Sequence, residues 1–149
     1  MKIFWTDDLS VGFKAIDDQH KTLINIINKF ANALLEGEGA ESIESVVNFL
    51  DLYTKVHFAT EEKYMDAFNY PDIAIHKSEH KKLIDYIDEL QSKVYTNINN
   101  HKLALDLCNE LKDWYVNHIG KIDKTLGSFL KIKKAERNEI IEKKMKGSL

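Results

Sequence analysis

The chain has 149 residues, 44% of them apolar and 30% charged, with a formal net charge of −3. That suffices for one domain with an ordinary core, and no stretch approaches the ~20 consecutive apolar residues of a membrane span. A single cysteine, Cys108, excludes an internal disulfide, and the N-terminus, MKIFWTDDLSVGF, lacks the apolar run of a secretory signal, so a reducing, cytoplasmic setting is expected.

One proline, Pro71, and six glycines leave long uninterrupted runs of helix-forming residues. Asp17 is a candidate cap for a first helix over 17–36. The turn-forming clusters EGEGAES (36–42), NYPD (69–72) and TNINN (96–100) separate it from helices over 42–68, 72–95 and 100–119, with Ser42, Asp72 and Asn100 as candidate caps. Short connections between long helices predict an all-α fold, an antiparallel up-down four-helix bundle. Residues 1–130 form it, with 1–16 as an N-terminal arm, and 131–149 form a short charged helical tail. That tail carries seven Lys or Arg against three Glu and reads as a solvated helix, with no nucleic-acid partner expected.

The inward stripes are unusual. The first helix offers Ile16, His20, Leu23, Ile27, Phe30 and Leu34, and the second Ile43, Val46, Leu50, Thr54, His57, Glu61 and Phe68. The third offers Ile73, His76, His80, Leu83, Ile87, Leu90 and Val94, and the fourth Leu107, Leu111, Trp114 and His118. In an up-down bundle the start of the first helix lies beside the end of the second, the start of the third and the end of the fourth. His20, His57, Glu61, His76, His80 and His118 therefore converge at one end. His101 opens the fourth helix roughly 25 Å from His118, by the helical rise per residue, and is expected at the surface.

Burying five imidazoles and a carboxylate at one level is costly unless something satisfies them together, and a borderline metal does so. HFATE (57–61) and HKSEH (76–80) put both donors of each pair on one helix face. HIGKID (118–123) is an i,i+5 pair, about 140° apart on a regular helix, so Asp123 joins only if the helix loosens after His118; Gly120 makes that inexpensive. Seven donors exceed what one zinc takes. Two six-coordinate ions suit them better, because five imidazoles, two bridging carboxylates and one bridging oxygen leave a single open position. Spacing alone would also accept manganese or cobalt.

DDQH (17–20), HFATEEKYM (57–65), YPDIAIHKSEHKKL (70–83) and WYVNHIGKIDKTL (114–126) together resemble the hemerythrin family, its bacterial branch in particular, from about Trp5 to Phe129. The resemblance implies two iron ions, cycling between Fe2+ and Fe3+, with an oxo or hydroxo bridge. It implies that His76, His80 and His118 hold the filled iron, that His20 and His57 hold the iron with the open position, and that Glu61 and Asp123 bridge. The family's diferrous centre binds dioxygen at the open iron and holds it as hydroperoxide. Neutral imidazoles leave such a core more positive than a carboxylate-rich one, which favours stopping at peroxide.

Leu23, Ile24, Phe58, Trp114, Tyr115 and Ile119 flank the open-site ligands and are candidates to line an oxygen pocket. The family commonly has leucine at the position of Tyr115, so a phenol there is a departure, and Tyr115→Leu is expected to change autoxidation. The function expected is reversible dioxygen binding for storage, delivery or buffering, without enzymatic turnover, in a protein that is a monomer like many bacterial members. The alternatives are a module sensing oxygen or nitric oxide, and a di-iron peroxidase or oxidase acting with peroxide.

Overall fold

In the computed structural model, residues 2–96 and 99–147 are described. A 3-10 turn, Asp7–Leu9, precedes α1 (Lys14–Leu35), α2 (Gly39–Ala67), α3 (Ile73–Val94) and α4 (Asn100–Trp114). A π-helical stretch, Tyr115–Asp123, joins α4 without a break to α5 (Lys124–Gly147). The bundle is the four-helix arrangement expected, with α2 packing against α1, α3 and α4.

The helix ends obey backbone chemistry more closely than side-chain capping. After α1, Gly37 adopts φ 83°, and the Gly37 and Glu38 amides donate to the carbonyls of Leu34 and Ala33. Asn69 does the same after α2 with φ 54°, the Asn69 and Tyr70 amides reaching the carbonyls of Asp66 and Met65. Both are left-handed stops that satisfy the last carbonyls of a helix. The expected caps need correction. α1 starts at Lys14, so Asp17 lies inside it, and α2 starts at Gly39, ahead of Ser42. Asn99, not Asn100, caps α4, its side chain accepting from the Lys102 amide. Asp72 holds the cap position of α3 but makes no capping hydrogen bond. Of the turn cluster at 96–100, residues 97 and 98 lie outside the described residues.

Displaced from capping, Asp17 anchors the arm: its carboxylate accepts from Ser10 Oγ at 2.5 Å and from the Val11 amide at 2.9 Å. Asn28 ties down the arm's beginning, accepting from the Ile3 amide and donating to the Ile3 carbonyl. Ile3, Leu9 and Val11 are thereby buried. Fixing an arm costs backbone entropy, and these paired hydrogen bonds and apolar contacts offset it.

The main core runs from Phe30, Ile43 and Val94 up to Leu23, Phe58, Trp114 and Ile119. A smaller cluster of Met65, Tyr70, Leu126 and Leu130 closes the opposite end under Phe13, Phe68 and Phe129. Between them lies a polar layer. α5 is buried only as far as Leu130; from Ala135 to Gly147 every residue is exposed. No helix among the described residues is long and apolar enough to cross a membrane.

Gly127 is where the arm meets α5. A Cβ there would stand 3.0 Å from Val11 Cα and 3.1 Å from the Ser10 carbonyl oxygen. Both are backbone atoms fixed by Asp17, so they cannot swing aside. Gly127→Ala is expected to cost about 1–3 kcal/mol through overpacking. Thermal unfolding should show a clear drop in Tm, and an unchanged Tm would mean the arm does not press on this helix.

Candidate metal centre

The polar layer gathers one side chain from α1 (His20), two from α2 (His57, Glu61), two from α3 (His76, His80) and two from the π-helical stretch (His118, Asp123). All seven are 2% exposed or less. His101, by contrast, is exposed at the far end of α4. The seven residues singled out from the sequence are therefore together in space.

The π-helical stretch solves the problem posed by HIGKID. Its i→i+5 hydrogen bonds widen the turn, so residues five apart come onto one face. His118 Nε2 thus lies 3.1 Å from Asp123 Oδ1. A Cβ on Gly120 would stand 3.2 Å from the Tyr115 carbonyl oxygen, so glycine keeps the widened turn free of crowding.

The two carboxylates divide the histidines between them. Glu61 Oε1 faces His20 Nε2 at 3.1 Å and His57 Nε2 at 3.0 Å, while Oε2 faces His80 Nε2 at 3.0 Å and His76 Nε2 at 3.3 Å. Asp123 repeats the pattern: Oδ2 lies 3.1 Å from His20, and Oδ1 3.0 Å from His76 and 3.1 Å from His118. Each carboxylate offers one oxygen to a two-histidine set and the other to a three-histidine set. Donor atoms of His76, His80, His118, Glu61 and Asp123 lie within 4.8 Å of one another, as do those of His20, His57, Glu61 and Asp123.

Protein hydrogen bonds alone do not satisfy this layer. His80 Nε2, His118 Nε2 and both Asp123 oxygens are fully buried and have no well-directed hydrogen bond. Leaving such groups unpaired costs roughly 1–3 kcal/mol each, more when charged. A metal pair accepting lone pairs from imidazole nitrogens and carboxylates fits this donor set.

In the metal-free protein, protons stand in. Burial opposes charging of His20, but Asp123 and Glu61 outweigh it and raise its pKa to about 10. The same balance raises His76 to about 9. For His118 burial prevails and the pKa falls. Burial works against ionising Glu61 and Asp123, yet the surrounding imidazoles hold both carboxyls well below the usual range.

Outside this layer stand residues the sequence reading did not single out. His57 Nδ1 meets Gln19 Oε1 at 2.7 Å, and Gln19 also donates to Thr60 Oγ1. His80 Nδ1 meets Glu62 Oε1 at 3.2 Å. Such partners fix the ring and leave its other nitrogen free for a metal. Both sit one residue from a donor, at His20 and Glu61, so the signal was adjacency within motifs already noted. Tyr53 stacks along His57 with rings 6.0 Å apart. Burial, aided by the Glu61 charge, raises its pKa and keeps the phenol protonated.

Of the six candidate pocket residues, Leu23, Ile24 and Ile119 are buried in the main core. Phe58 stacks on His80 at 3.9 Å and 4°, and Trp114 on His118 at 3.8 Å and 12°. These two rings cover the three-histidine set, although Phe58 also meets His57 at 5.6 Å. Tyr115 departs from the expectation: its ring packs at the edge of the core, and its hydroxyl donates outward to the Phe4 carbonyl at 3.0 Å.

Comparison with known proteins agrees with this geometry. The family model described as the hemerythrin HHE cation binding domain matches residues 11–130. A bacteriohemerythrin from Methylococcus capsulatus is 36% identical over 121 residues, covering 81% of this chain and 88% of that one. Another, from Stenotrophomonas maltophilia, is 32% identical over 117 residues, covering 78% and 74%. Among solved structures, a wild-type hemerythrin is similar with a TM-score of 0.72 and 34% identity, covering 87% of this chain and 98% of that one. A leucine-to-tyrosine mutant hemerythrin is similar with a TM-score of 0.73 at 34% identity over the same coverage.

Two outcomes test the site. Removing an outer partner, by Glu62→Ala or Gln19→Ala, should weaken metal affinity about 10–100-fold in a chelator competition; unchanged affinity would make these contacts incidental. The pH dependence of the metal-free protein is also fixed in sign. His20 and His76 have raised pKa values, so their stabilisation is complete below the ordinary 6.5 and is lost as pH rises through about 9 and 10. Tm of the metal-free protein should fall across that window. Metal loading should flatten the decline, because ligating imidazoles are neutral.

Proposed function

The chain belongs to the hemerythrin family, and from that premise we propose that it binds dioxygen reversibly at a non-haem di-iron centre, as a carrier, store or buffer rather than an enzyme. His76, His80 and His118 would hold one iron and His20 and His57 the other, with Glu61 and Asp123 bridging. The observation that carries this reading is the division of both carboxylates between a three-histidine and a two-histidine set. The smaller set leaves a position for a ligand. When bound, the iron pair supplies the two electrons and the open coordination position that dioxygen requires.

The chain's own residues supply the rest. Five neutral imidazoles keep the core positive and disfavour oxidation beyond peroxide. Glu62 and Gln19 orient His80 and His57. Leu23, Ile24, Phe58 and Ile119 are buried apolar groups that exclude water, which would otherwise promote loss of reduced oxygen. The direction of the Tyr115 hydroxyl favours binding over turnover, because this phenol is engaged with Phe4 and supplies no proton or electron inside.

Anaerobic loading with Fe(II) should give two irons per chain and a visible band that appears with oxygen and disappears on its removal. Immediate conversion to a stable oxidised form would instead favour sensing or peroxide chemistry. Tyr115→Leu should leave the spectrum and the autoxidation rate unchanged, reversing what the sequence alone suggests. A faster or slower rate would show that the phenol reaches the ligand.

A further inference from the structure

Trp114 ends α4 with its indole stacked on His118, ring centroids 3.8 Å apart. Both residues also line a surface cleft of about 180 Å³ whose rim carries Glu79, Glu110, Asp113 and Lys82. His118 is 2% exposed. Its Nε2 faces Asp123, and its other ring nitrogen, Nδ1, is buried without a hydrogen-bond partner among the described residues. A single aromatic stack thus separates a donor of the inner layer from solvent.

The rim has a sign. Lys82 is already paired with Glu79 at 2.8 Å, and Glu110 and Asp113 have no ion-pair partner among the described residues. The field extends sideways: burial, then Glu110, Asp106 and Glu89, push the Tyr86 phenol up to about 12. Negative rims attract cationic partners and raise their encounter rate. The cleft is open and smaller than the ~300–1,000 Å³ of sites that enclose a small molecule. It suits the passing contact of another protein, of the kind made by weak electron-transfer complexes.

We infer that this cleft is the port at which a redox protein with a basic rim returns the oxidised iron pair to its ferrous state, the Trp114–His118 stack linking the cleft to the centre. The inference rests on the di-iron reading above. Each encounter oxidises the donor by one electron and reduces one ferric ion to ferrous. Two encounters, with one proton from solvent converting the bridging oxide to hydroxide, would restore the diferrous pair.

The test uses the iron-loaded, oxidised protein with photoexcited zinc-substituted cytochrome c as a basic protein donor and hexaammineruthenium(II) as a small cationic donor. The double variant Glu110→Gln/Asp113→Asn should slow the protein donor about tenfold at low ionic strength, abolish most of its salt dependence, and slow the small complex less. Trp114→Leu should slow both donors, and Trp114→Phe, which retains a stacked ring, should recover much of the rate. A readout independent of iron chemistry comes from zinc-loaded protein titrated with redox-inert hexaamminecobalt(III). Amide shifts should cluster at Glu79, Glu110 and Asp113 and at the Trp114 indole. Unchanged protein-donor rates in the double variant, or shifts elsewhere, would overturn the port. Iron is counted on every sample, so failure to hold two irons would overturn the di-iron reading, whereas two irons with charge-independent reduction would overturn the port alone.

Discussion

Two buried carboxylates organise this molecule. Glu61 and Asp123 are fully inaccessible, and each turns its two oxygens toward different histidines. A buried anion must be compensated, and the compensation available is five imidazoles contributed by α1, α2, α3 and the π-helical stretch. The layer therefore ties all four walls of the bundle together. Imidazole and carboxylate in contact form a self-neutralising set in the presence of protons, and a stronger one in the presence of metal.

The rest of the fold serves to hold that layer in place. α1 to α3 meet the requirement with regular helices, because i,i+4 spacing brings His57 to Glu61 and His76 to His80. The fourth wall cannot, and there the backbone itself changes, widening into a π-helical stretch that carries His118 and Asp123 together. Apolar clusters on both sides exclude water from the layer. The arm, held by Asp17 and pressed against Gly127, covers one of them.

Much of this was legible in the chain. Histidines and a glutamate on otherwise apolar stripes, placed at matching depth, were enough to bring six of the seven side chains to one end, because helical rise and period convert spacing directly into position. The need for a loosened turn after His118 could be read from the angle between residues five apart, though not its form as a π-helix. What could not be read depends on tertiary contact. Asp17 looks like a helix cap until the arm folds back to it. Gln19 and Glu62 look like solvated polar residues until His57 and His80 lean on them. Tyr115 could turn either way, and the Phe4 carbonyl decides it. α1 and α2 start three residues ahead of the expected 17 and 42, because Asp17 is drawn to the arm and left-handed Gly37 lets α2 begin at Gly39, where composition gives little sign.

The proposed function depends on Glu61 and Asp123 each holding both ions of a metal pair. X-ray absorption of the iron-loaded protein, with the iron counted on the same sample, tests it most directly. Two irons per chain are expected, with a short iron–iron scattering path that is lost on replacing Glu61 with alanine. One iron per chain with no iron–iron path would contradict it, leaving the seven residues as a single-ion site with surplus donors.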